Sequence, residues 1–258
     1  MTVRRQIVTL LLAACLLGLL VDAAPAAGPG GAAPDTIVLP GTPPTIVRVG
    51  NPLLSAAGDG ISFAAHATAL VRGRVRIAGS APTTSGAVRV EQLDPLQGWV
   101  VAVAAAPVAA DGSFHAIWRP KRPGSTQLRV VAGAASGSSA GAAGDTPAGT
   151  SPQLSLTVYR PGVASWYGPG AYGRTTSCGV VLRPTTIGVA HRTLPCGTQV
   201  AMYYRGRTLA VPVIDRGPFV PGRSWDLTLA TFHALGGGSE GLLTLGALAL
   251  PAATPARR

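Results

Sequence analysis

Short apolar runs separated by turn residues fill the chain from residue 45 to residue 160. The clearest run is Val71–Ile77, in which arginine occupies every second position. Such alternation is typical of a half-buried antiparallel strand. No helical period separates the runs, so the pattern predicts an immunoglobulin-like β-sandwich over residues 45–160. The predicted strands cover residues 45–49, 69–77, 87–91, 99–103, 114–118, 127–131 and 154–159.

A second β-rich segment begins near Arg160-Pro161-Gly162 and defines a predicted domain over residues 161–250, followed by a tail at 251–258. One short helix is predicted over residues 227–235, because Ser224, Asp226 or Thr228 can cap its start and Gly236 follows its end. The predicted fold class is therefore mainly β. The strands predicted in this second domain cover residues 162–167, 186–191, 199–204, 209–214 and 241–248.

The first 27 residues have the pattern of an export signal. Two arginines precede an apolar core over residues 7–21, and Ala24-Pro25-Ala26 forms a small-residue cleavage pattern. The apolar core is short for a membrane span. The pattern predicts a secreted or cell-envelope protein. Lipidation of Cys15, which lies in a lipobox-like sequence, and retention of the uncleaved signal are two routes to membrane attachment.

Two segments are poor in side chains that could form a core. Residues 28–44 are rich in Ala, Gly and Pro, and residues 133–152 in Gly, Ala, Ser and Thr. Such segments bury too little apolar surface to offset the entropy lost on ordering. We predict a flexible lead-in and a mobile loop inserted before the last sandwich strand.

The chain carries a formal net charge of +11 over its 258 residues. A surface of this kind suits polyanions such as nucleic acid, anionic lipid or acidic cell-wall polymers. Because the chain is predicted to be exported, we expect no nucleic-acid partner. Anionic wall polymers and division-site proteins remain candidate partners.

Residues that can carry chemistry gather in the second domain, in five blocks whose order and spacing are specific. The blocks are Ala164-Ser165-Trp166-Tyr167-Gly168, Gly173-Arg174-x-Thr176, His191-x-Thr193-Leu194-Pro195-x-Gly197-Thr198, Asp215-Arg216-Gly217-Pro218-Phe219 and Gly222-Arg223-x-x-Asp226-Leu227. With these blocks, this part of the chain resembles the RlpA-like double-psi β-barrel, found in the rare lipoprotein A family and related to the barrels of expansins. The resemblance covers about residues 162–250.

The resemblance implies a six-stranded barrel with a sugar-binding groove. It also implies lytic transglycosylase activity on the glycan strands of peptidoglycan, with strands stripped of stem peptides preferred. His191 and Asp215 fall on the family's conserved histidine and aspartate. Val180 stands where the family has a functional glutamate, and Arg183 where a later aspartate is common. Val180 cannot transfer a proton, so a non-catalytic, expansin-like barrel that binds or loosens glycan is the alternative.

Carboxylates are scarce in the second domain, which contains only Asp215, Asp226 and Glu240. Glycoside hydrolysis normally needs two carboxylates, whereas lytic cleavage to a 1,6-anhydro product can use one acid/base. We predict Asp215 as that acid/base, with His191 assisting by polarising a hydroxyl or by holding Asp215, and Asp226 supporting. The alternatives are structural, since Asp215 can pair with an arginine and Asp226 can cap the helix.

Flat aromatic faces and guanidinium groups supply candidate contacts to sugar rings and wall carboxylates. The predicted substrate-binding residues are Trp166, Tyr167, Tyr172, Arg174, Arg216, Phe219 and Trp225.

Cys178 and Cys196 are the two cysteines that remain after a signal is removed, and such a pair in an exported protein predicts a disulfide. A metal site built from these cysteines and His191 lacks suitable spacing and a fourth ligand, so we predict no metal and no cofactor. A purely structural wall protein is the third class of function considered.

Overall fold

The computed structural model describes residues 50–133 and 153–251. The predicted signal, lead-in, strand 45–49, loop 134–152 and residues 252–258 of the tail lie outside the described residues. The first part contains a short 3-10 helix (Thr83–Ser85) and the strands β1 (Leu53–Gly58), β2 (Ile61–His66), β3 (Thr68–Leu70), β4 (Val75–Ser80), β5 (Ala87–Asp94), β6 (Gly98–Pro107), β7 (Ser113–Trp118), β8 (Gly124–Ala132) and β9 (Leu154–Tyr167). The second part contains β10 (Val189–Ala190), β11 (Gln199–Tyr204), β12 (Arg207–Asp215), β13 (Trp225–Thr228), α1 (Leu229–Ala234) and β14 (Leu243–Ala249).

Two sheets enclose one hydrophobic cluster in the first part of the chain. One sheet has the order β1-β2-β4-β7, and facing it the strands β6, β5, β8 and β9 pair in sequence. Strand alternation directs apolar side chains of both sheets inward, as a two-layer β structure requires. The cluster includes Phe63, Ile77 and Phe114 from the first sheet and Val90 and Leu128 from the second. A relationship to immunoglobulin domains stays a prediction.

The predicted strand over residues 69–77 is wrong as a single element. The structure divides it into β3, which pairs with β9, and β4, which belongs to the opposite sheet. Between them Arg72 has a φ of 63°, and the Gly73 N–H donates to the Leu70 carbonyl at 2.9 Å. The alternation of apolar and basic residues therefore continues through a turn, which periodicity alone does not reveal.

Strand β9 runs through both parts of the molecule. Its first residues pair with β8 and β3, and its later residues pair with β14 and β13. The predicted domain boundary near residue 160 falls inside this strand, where the hydrogen-bonding partners change. At the same level the rings of Tyr159 and Tyr203 stack with centroids 5.6 Å apart.

Six strands form a closed barrel in the second part. Their order is β13-β10-β12-β11-β14-β9, and pairing between β13 and β9 closes the ring. A second hydrophobic cluster fills it, including Val189, Met202, Val211, Leu227 and Leu245. The predicted mainly β class, the six-stranded barrel and the short helix are confirmed.

The helix is shorter than its prediction because a strand occupies the first residues of the predicted range. β13 ends at Thr228, whose side chain caps α1 by accepting from the Thr231 N–H. Gly236 follows the helix with a φ of 84°, a conformation that glycine adopts at little cost. Residues 50–133 and 153–251 contain no helix with the length and apolar character needed to cross a membrane.

Candidate active site

Three polar side chains occupy one row across neighbouring barrel strands. Ala190 on β10 lies opposite Asp215 on β12 and opposite Asp226 on β13, and Asp226 lies opposite Ser165 on β9. Residues at matched register positions project from the same face of a regular sheet. The register of β10 against β12 shifts between Val189 and Ala190, and the electrostatic interaction of Asp215 with Asp226 supports the proximity of the two carboxylates. Since adjacent strands lie about 4.8 Å apart, the two aspartates are separated by roughly 10 Å at their Cα atoms.

The row lies on the face opposite the barrel core. Neighbouring residues on these strands, Ala164, Val189 and Leu227, belong to the buried hydrophobic cluster. Because side chains alternate along a strand, Ser165, Ala190 and Asp226 must project from the other face. This face is the candidate active site.

The Asp215 carboxylate is oriented by backbone donors. Its Oδ1 accepts from the Ser177 N–H at 2.9 Å and from the Arg216 N–H at 2.8 Å. Its backbone carbonyl accepts from the His191 N–H at 3.1 Å. Among the described residues, no ion pair joins Asp215 to an arginine. The side chain is therefore held in position without being neutralised by a guanidinium.

His191 presents only one ring nitrogen to a ligand. Its Nδ1 lies 3.2 Å from the Thr193 N–H and 3.0 Å from the Leu194 N–H, both of which donate to it. An Nδ1 that accepts two backbone bonds places the ring proton on Nε2. Burial, with the charges of Arg192 and Arg216, lowers the pKa of His191. The ring is thus a neutral hydrogen-bond donor at neutral pH.

Asp226 is the aspartate whose charge is disfavoured. Burial is the main cause of its raised pKa, and the charge of Asp215 adds to it, whereas Ser165 and Arg223 act in the opposite direction. Its Oδ1 is buried without a hydrogen-bond partner, as is the Ser165 hydroxyl. The two groups face each other across β13 and β9 and interact electrostatically, although they form no well-aligned hydrogen bond.

Tyr167 joins this polar cluster through its hydroxyl rather than through its ring face. The hydroxyl is buried and has no hydrogen-bond partner of good geometry. Burial raises the pKa of Tyr167, and the nearby charges of Asp215 and Asp226 raise it further. Tyr167 therefore remains a neutral phenol between the two aspartates. Buried polar groups without partners are costly, and their concentration here marks a site rather than a core.

A disulfide ties together the two loops that orient Asp215 and His191. The predicted bond between Cys178 and Cys196 is present, with the Cα atoms 5.7 Å apart. Ser177, which donates to Asp215, precedes Cys178, and Leu194, which donates to His191, lies two residues before Cys196. The disulfide therefore joins the loop that donates to Asp215 to the loop that donates to His191.

Val180 lies on the same loop as Ser177. Its carbonyl accepts from the Thr176 N–H at 2.9 Å and its N–H donates to the Thr176 hydroxyl at 3.2 Å. These bonds close a tight turn over residues 176–180. The turn is thus fixed by hydrogen bonds, and its Ser177 N–H donates to Asp215.

Some of the predicted substrate-binding aromatic residues are exposed, whereas others pack against neighbouring side chains. Phe219 is 79% exposed, and Trp166 and Tyr172 are exposed by 37% and 36%. Trp225 is buried and stacks against His191 at 4.5 Å between ring centroids. Three flat side chains therefore remain available to a sugar, whereas Trp225 positions the histidine.

The two predicted arginines also differ. Arg174 is exposed, and its guanidinium forms no hydrogen bond or ion pair within the described part of the chain. The Arg216 guanidinium donates to the Leu194 carbonyl at 3.0 Å and lies 3.3 Å from the Cys196 Sγ. Arg174 is free to meet an anionic group, while Arg216 braces the loop beside His191.

Sequence reasoning missed Ser165 as a member of the site, although the Ala164–Gly168 block contains it. A sequence pattern gives no indication that a serine is buried beside a carboxylate. The backbone N–H of Ser177 was also missed, since a backbone donor has no residue signature. In residues 50–133 and 153–251, no group of three or more His, Cys, Asp or Glu side chains is arranged to hold a metal ion.

Comparison with known proteins agrees with this geometry. Residues 160–245 match the DPBB_1 family model, described as lytic transglycolase. The probable endolytic peptidoglycan transglycosylase RlpA of Synechocystis sp. is 43% identical over 83 residues, which cover 31% of this chain and 26% of that protein. The Aquifex aeolicus protein of the same description is 41% identical over 87 residues, covering 33% and 38%.

Two further similarities complete the comparison. The endolytic peptidoglycan transglycosylase RlpA of Campylobacter jejuni is 45% identical over 69 residues, covering 26% of this chain and 25% of that protein. The structure of Streptomyces papain inhibitor aligns with a TM-score of 0.29 at 27% identity, covering 33% of this chain and 88% of that one. This chain matches between about a quarter and two fifths of the length of these RlpA relatives.

The closed six-stranded barrel and the family match define this part of the molecule as a double-psi β-barrel. More narrowly, the similarity to the three RlpA proteins makes residues 160–245 an RlpA-like barrel domain.

Proposed function

We propose that this protein is a peptidoglycan lytic transglycosylase that acts in the cell envelope. Its RlpA-like barrel would cleave glycan strands without hydrolysis and leave 1,6-anhydro ends. The observation that carries the proposal is the row of Asp215 and Asp226 beside the neutral His191. The relatives that share this barrel are named endolytic peptidoglycan transglycosylases, which supports peptidoglycan as the substrate.

The proposed reaction needs one proton that is given and then recovered. A carboxylic acid protonates the glycosidic oxygen, the bond from that oxygen to C1 breaks, and C1 gains oxocarbenium character. The 6-hydroxyl of the same sugar then bonds to C1 and returns a proton to the carboxylate. We assign this acid/base role to Asp215, whose side chain is oriented by two backbone donors.

Asp226 supports this cycle by keeping a proton in the site. Its raised pKa means that it stays protonated at a higher pH than an ordinary aspartate. The charge of Asp215 contributes to this raised pKa, so the proton on Asp226 is held near Asp215. The Nε2–H of His191 donates to a sugar oxygen and fixes the strand relative to Asp215.

The exposed aromatic residues and Arg174 form the proposed binding surface. Trp166, Tyr172 and Phe219 offer flat apolar faces to sugar rings, and the free guanidinium of Arg174 suits a carboxylate on the muramyl groups. An extracytoplasmic location follows from this substrate and from the export signal predicted for the first 27 residues.

The test is incubation of the full-length protein with peptide-free glycan strands, with mass spectrometry of the products. We expect fragments with anhydro ends and, for Asp215→Asn, a loss of at least a hundredfold in their rate of release, as removal of an acid/base group produces. Asp59→Asn is the control, since Asp59 lies in a sandwich turn with a φ of 52° that asparagine also tolerates.

The second candidate function is a non-catalytic, expansin-like module that binds or loosens glycan. The substitution of valine at position 180 favours it. Glycan binding with no released fragments at high protein concentration would select this function and reject the enzyme. Release that persists in Asp215→Asn would instead refute the assignment of the acid/base.

A further inference from the structure

Six basic side chains lie together at one end of the four-stranded sandwich sheet. Strands β4 and β7 are antiparallel, with Val75 opposite Trp118. Residues just before Val75 and just after Trp118 therefore meet at the same end of the sheet. All six side chains are exposed. We call this group the cationic end; it comprises Arg72, Arg74, Arg76, Arg119, Lys121 and Arg122.

The strand pattern directs the central arginines to solvent. Val75, Ile77 and Trp118 are buried in the sandwich core. Arg74, Arg76 and Arg119 occupy the alternate positions and so project from the outer face of the sheet. Arg74 and Arg76 lie at the start of β4, and Arg119 follows the end of the adjacent strand β7; the two strand axes are about 4.8 Å apart.

The backbone forces two of these cations together. The Arg72 N–H donates to the Pro120 carbonyl at 2.7 Å, and the Arg119 guanidinium donates to the Arg72 carbonyl at 3.3 Å. Arg72 holds this position with a φ of 63°, which costs free energy for a residue with a side chain. The fold thus accepts a backbone cost at Arg72, the residue whose carbonyl accepts from the Arg119 guanidinium.

Acidic side chains do not balance this charge. Among the described residues, the only ion pair at this end joins Arg122 to Asp94 at 3.4 Å. Asp59 and Asp111 lie in turns at the opposite end of the sheet, beside the pair Ser80 and Ser113. Glu91 is occupied by Arg89 and Arg129 on the other sheet. Five of the six cations therefore have no acidic partner in residues 50–133 and 153–251.

We propose that the cationic end is a binding site for a linear polyanion of the cell envelope, a polymer with repeating phosphate or carboxylate groups. Guanidinium groups bind both kinds of anion through paired hydrogen bonds. Several cations in a row favour a polymer over a single ion, because each bound repeat releases counterions from the chain. Binding there would hold the protein at the wall independently of the barrel's chemistry.

The test compares two double variants that lose the same charge. Arg74→Gln/Arg76→Gln changes the cationic end, and Arg160→Gln/Arg207→Gln changes exposed arginines of the barrel that form no side-chain hydrogen bond or ion pair within the described residues. Calorimetric titration of the full-length protein uses inorganic polyphosphate and polygalacturonate as probes. The probe that binds more tightly shows whether the site prefers phosphate or carboxylate groups.

We expect the first double variant to weaken binding of the preferred probe at least tenfold and the second to change it less than about twofold. The slope of log affinity against log salt should fall by about 1.4 in the first variant, at roughly 0.7 per cation lost. Equal weakening in both variants would mean that only net charge matters and would overturn the proposal. Failure of both probes to bind at about 0.15 M salt would also overturn it.

A nucleic-acid site is the remaining outcome to separate. Oligothymidine that binds the unaltered protein as tightly as the preferred probe, and is weakened equally by the first variant, would contradict a wall polyanion. None of these measurements depends on glycan cleavage, so the result is independent of the proposed enzyme activity. Circular dichroism and thermal melting verify that both variants are folded.

Discussion

His191 meets a ligand with a single donor, and this restricts what it can do. Two backbone N–H groups occupy its Nδ1, and its lowered pKa keeps the ring neutral. A neutral imidazole with its proton on Nε2 can polarise a sugar oxygen but is a poor proton donor to a leaving group. Proton transfer therefore belongs to the aspartates, and His191 has a positioning role in the proposed reaction.

Asp226→Asn should make the protein more stable at neutral pH. The pKa of Asp226 is raised in the folded state above its unfolded value, so the charged form disfavours folding. This penalty is full above the folded pKa and disappears as the pH falls toward about 3.9, the usual value for the unfolded chain. We expect Tm at pH 7 to rise by about 2–4 °C, with the difference vanishing near pH 4.

Thermal melting from pH 4 to pH 8 checks this, with Asp59→Asn as the matched control. A variant that is less stable than the unaltered protein at pH 7 would show that Asp226 makes a stabilising contact in its charged form. The same variant should release fewer anhydro-ended fragments, since the proposed site then loses its retained proton. Higher stability combined with lower activity distinguishes a functional carboxyl group from a structural one.

At the scale of elements, the site depends on two loops that the Cys178–Cys196 disulfide joins. The turn over residues 176–180 reaches Asp215 through Ser177, and the segment after β10 reaches His191 through Leu194. Arg216 bridges to the same segment through the Leu194 carbonyl. The strands bring the acids into one row, and the loops set the direction of each functional group.

Removal of the disulfide should loosen both loops. For Cys178→Ser/Cys196→Ser we expect a loss of about 3 kcal/mol of stability, the value for a closed loop near the 18-residue separation found here. The activity should fall with it, because Asp215 and His191 lose their fixed supports. Chemical denaturation with and without a thiol reductant measures the effect, and reductant should not alter the double variant. An unchanged midpoint on reduction would contradict the prediction.

The elements also show where sequence patterns are informative. An alternating run such as that of β7 is predicted well because its buried positions alternate with more exposed ones along its length. β13 has four residues and β10 only two, which is too short for a period to be visible. The predicted helix range is too long because the strand β13 and the helix α1 follow each other directly after Thr228.

At the scale of the whole molecule, one strand connects the sandwich to the barrel. β9 pairs with β8 of the sandwich in its first part and with β14 of the barrel in its second part. The stacked rings of Tyr159 and Tyr203 lie where the pairing partners of β9 change. Gly246 on β14 packs into this region: an added Cβ would lie 2.6 Å from the Tyr159 Cβ and 2.8 Å from a Leu70 methyl group. The absence of a side chain at this position lets the two parts pack closely.

Gly246→Ala should therefore destabilise the junction. Overpacking of a tight site costs about 1–3 kcal/mol, and neither the β9 backbone nor the Tyr159 Cβ can move away easily. Denaturant unfolding followed by tyrosine fluorescence measures the change. Gly241→Ala is the control, because no atom lies within 4 Å of its added Cβ. Equal stability of the two variants would show that the junction has room to relax.

The sequence by itself determined the mainly β class and the barrel. It does so because strand periodicity and the five spaced blocks are local properties of the chain. Only the tertiary structure decided that Asp215, Asp226 and Ser165 share a row, that Tyr167 contributes a buried hydroxyl, and that His191 is a neutral donor. The register between distant strands and the desolvation of buried polar groups both arise from tertiary packing, so local sequence patterns do not reveal them. The central stretch of the barrel thus predicts the candidate groups, whereas the fold sets their charge and direction.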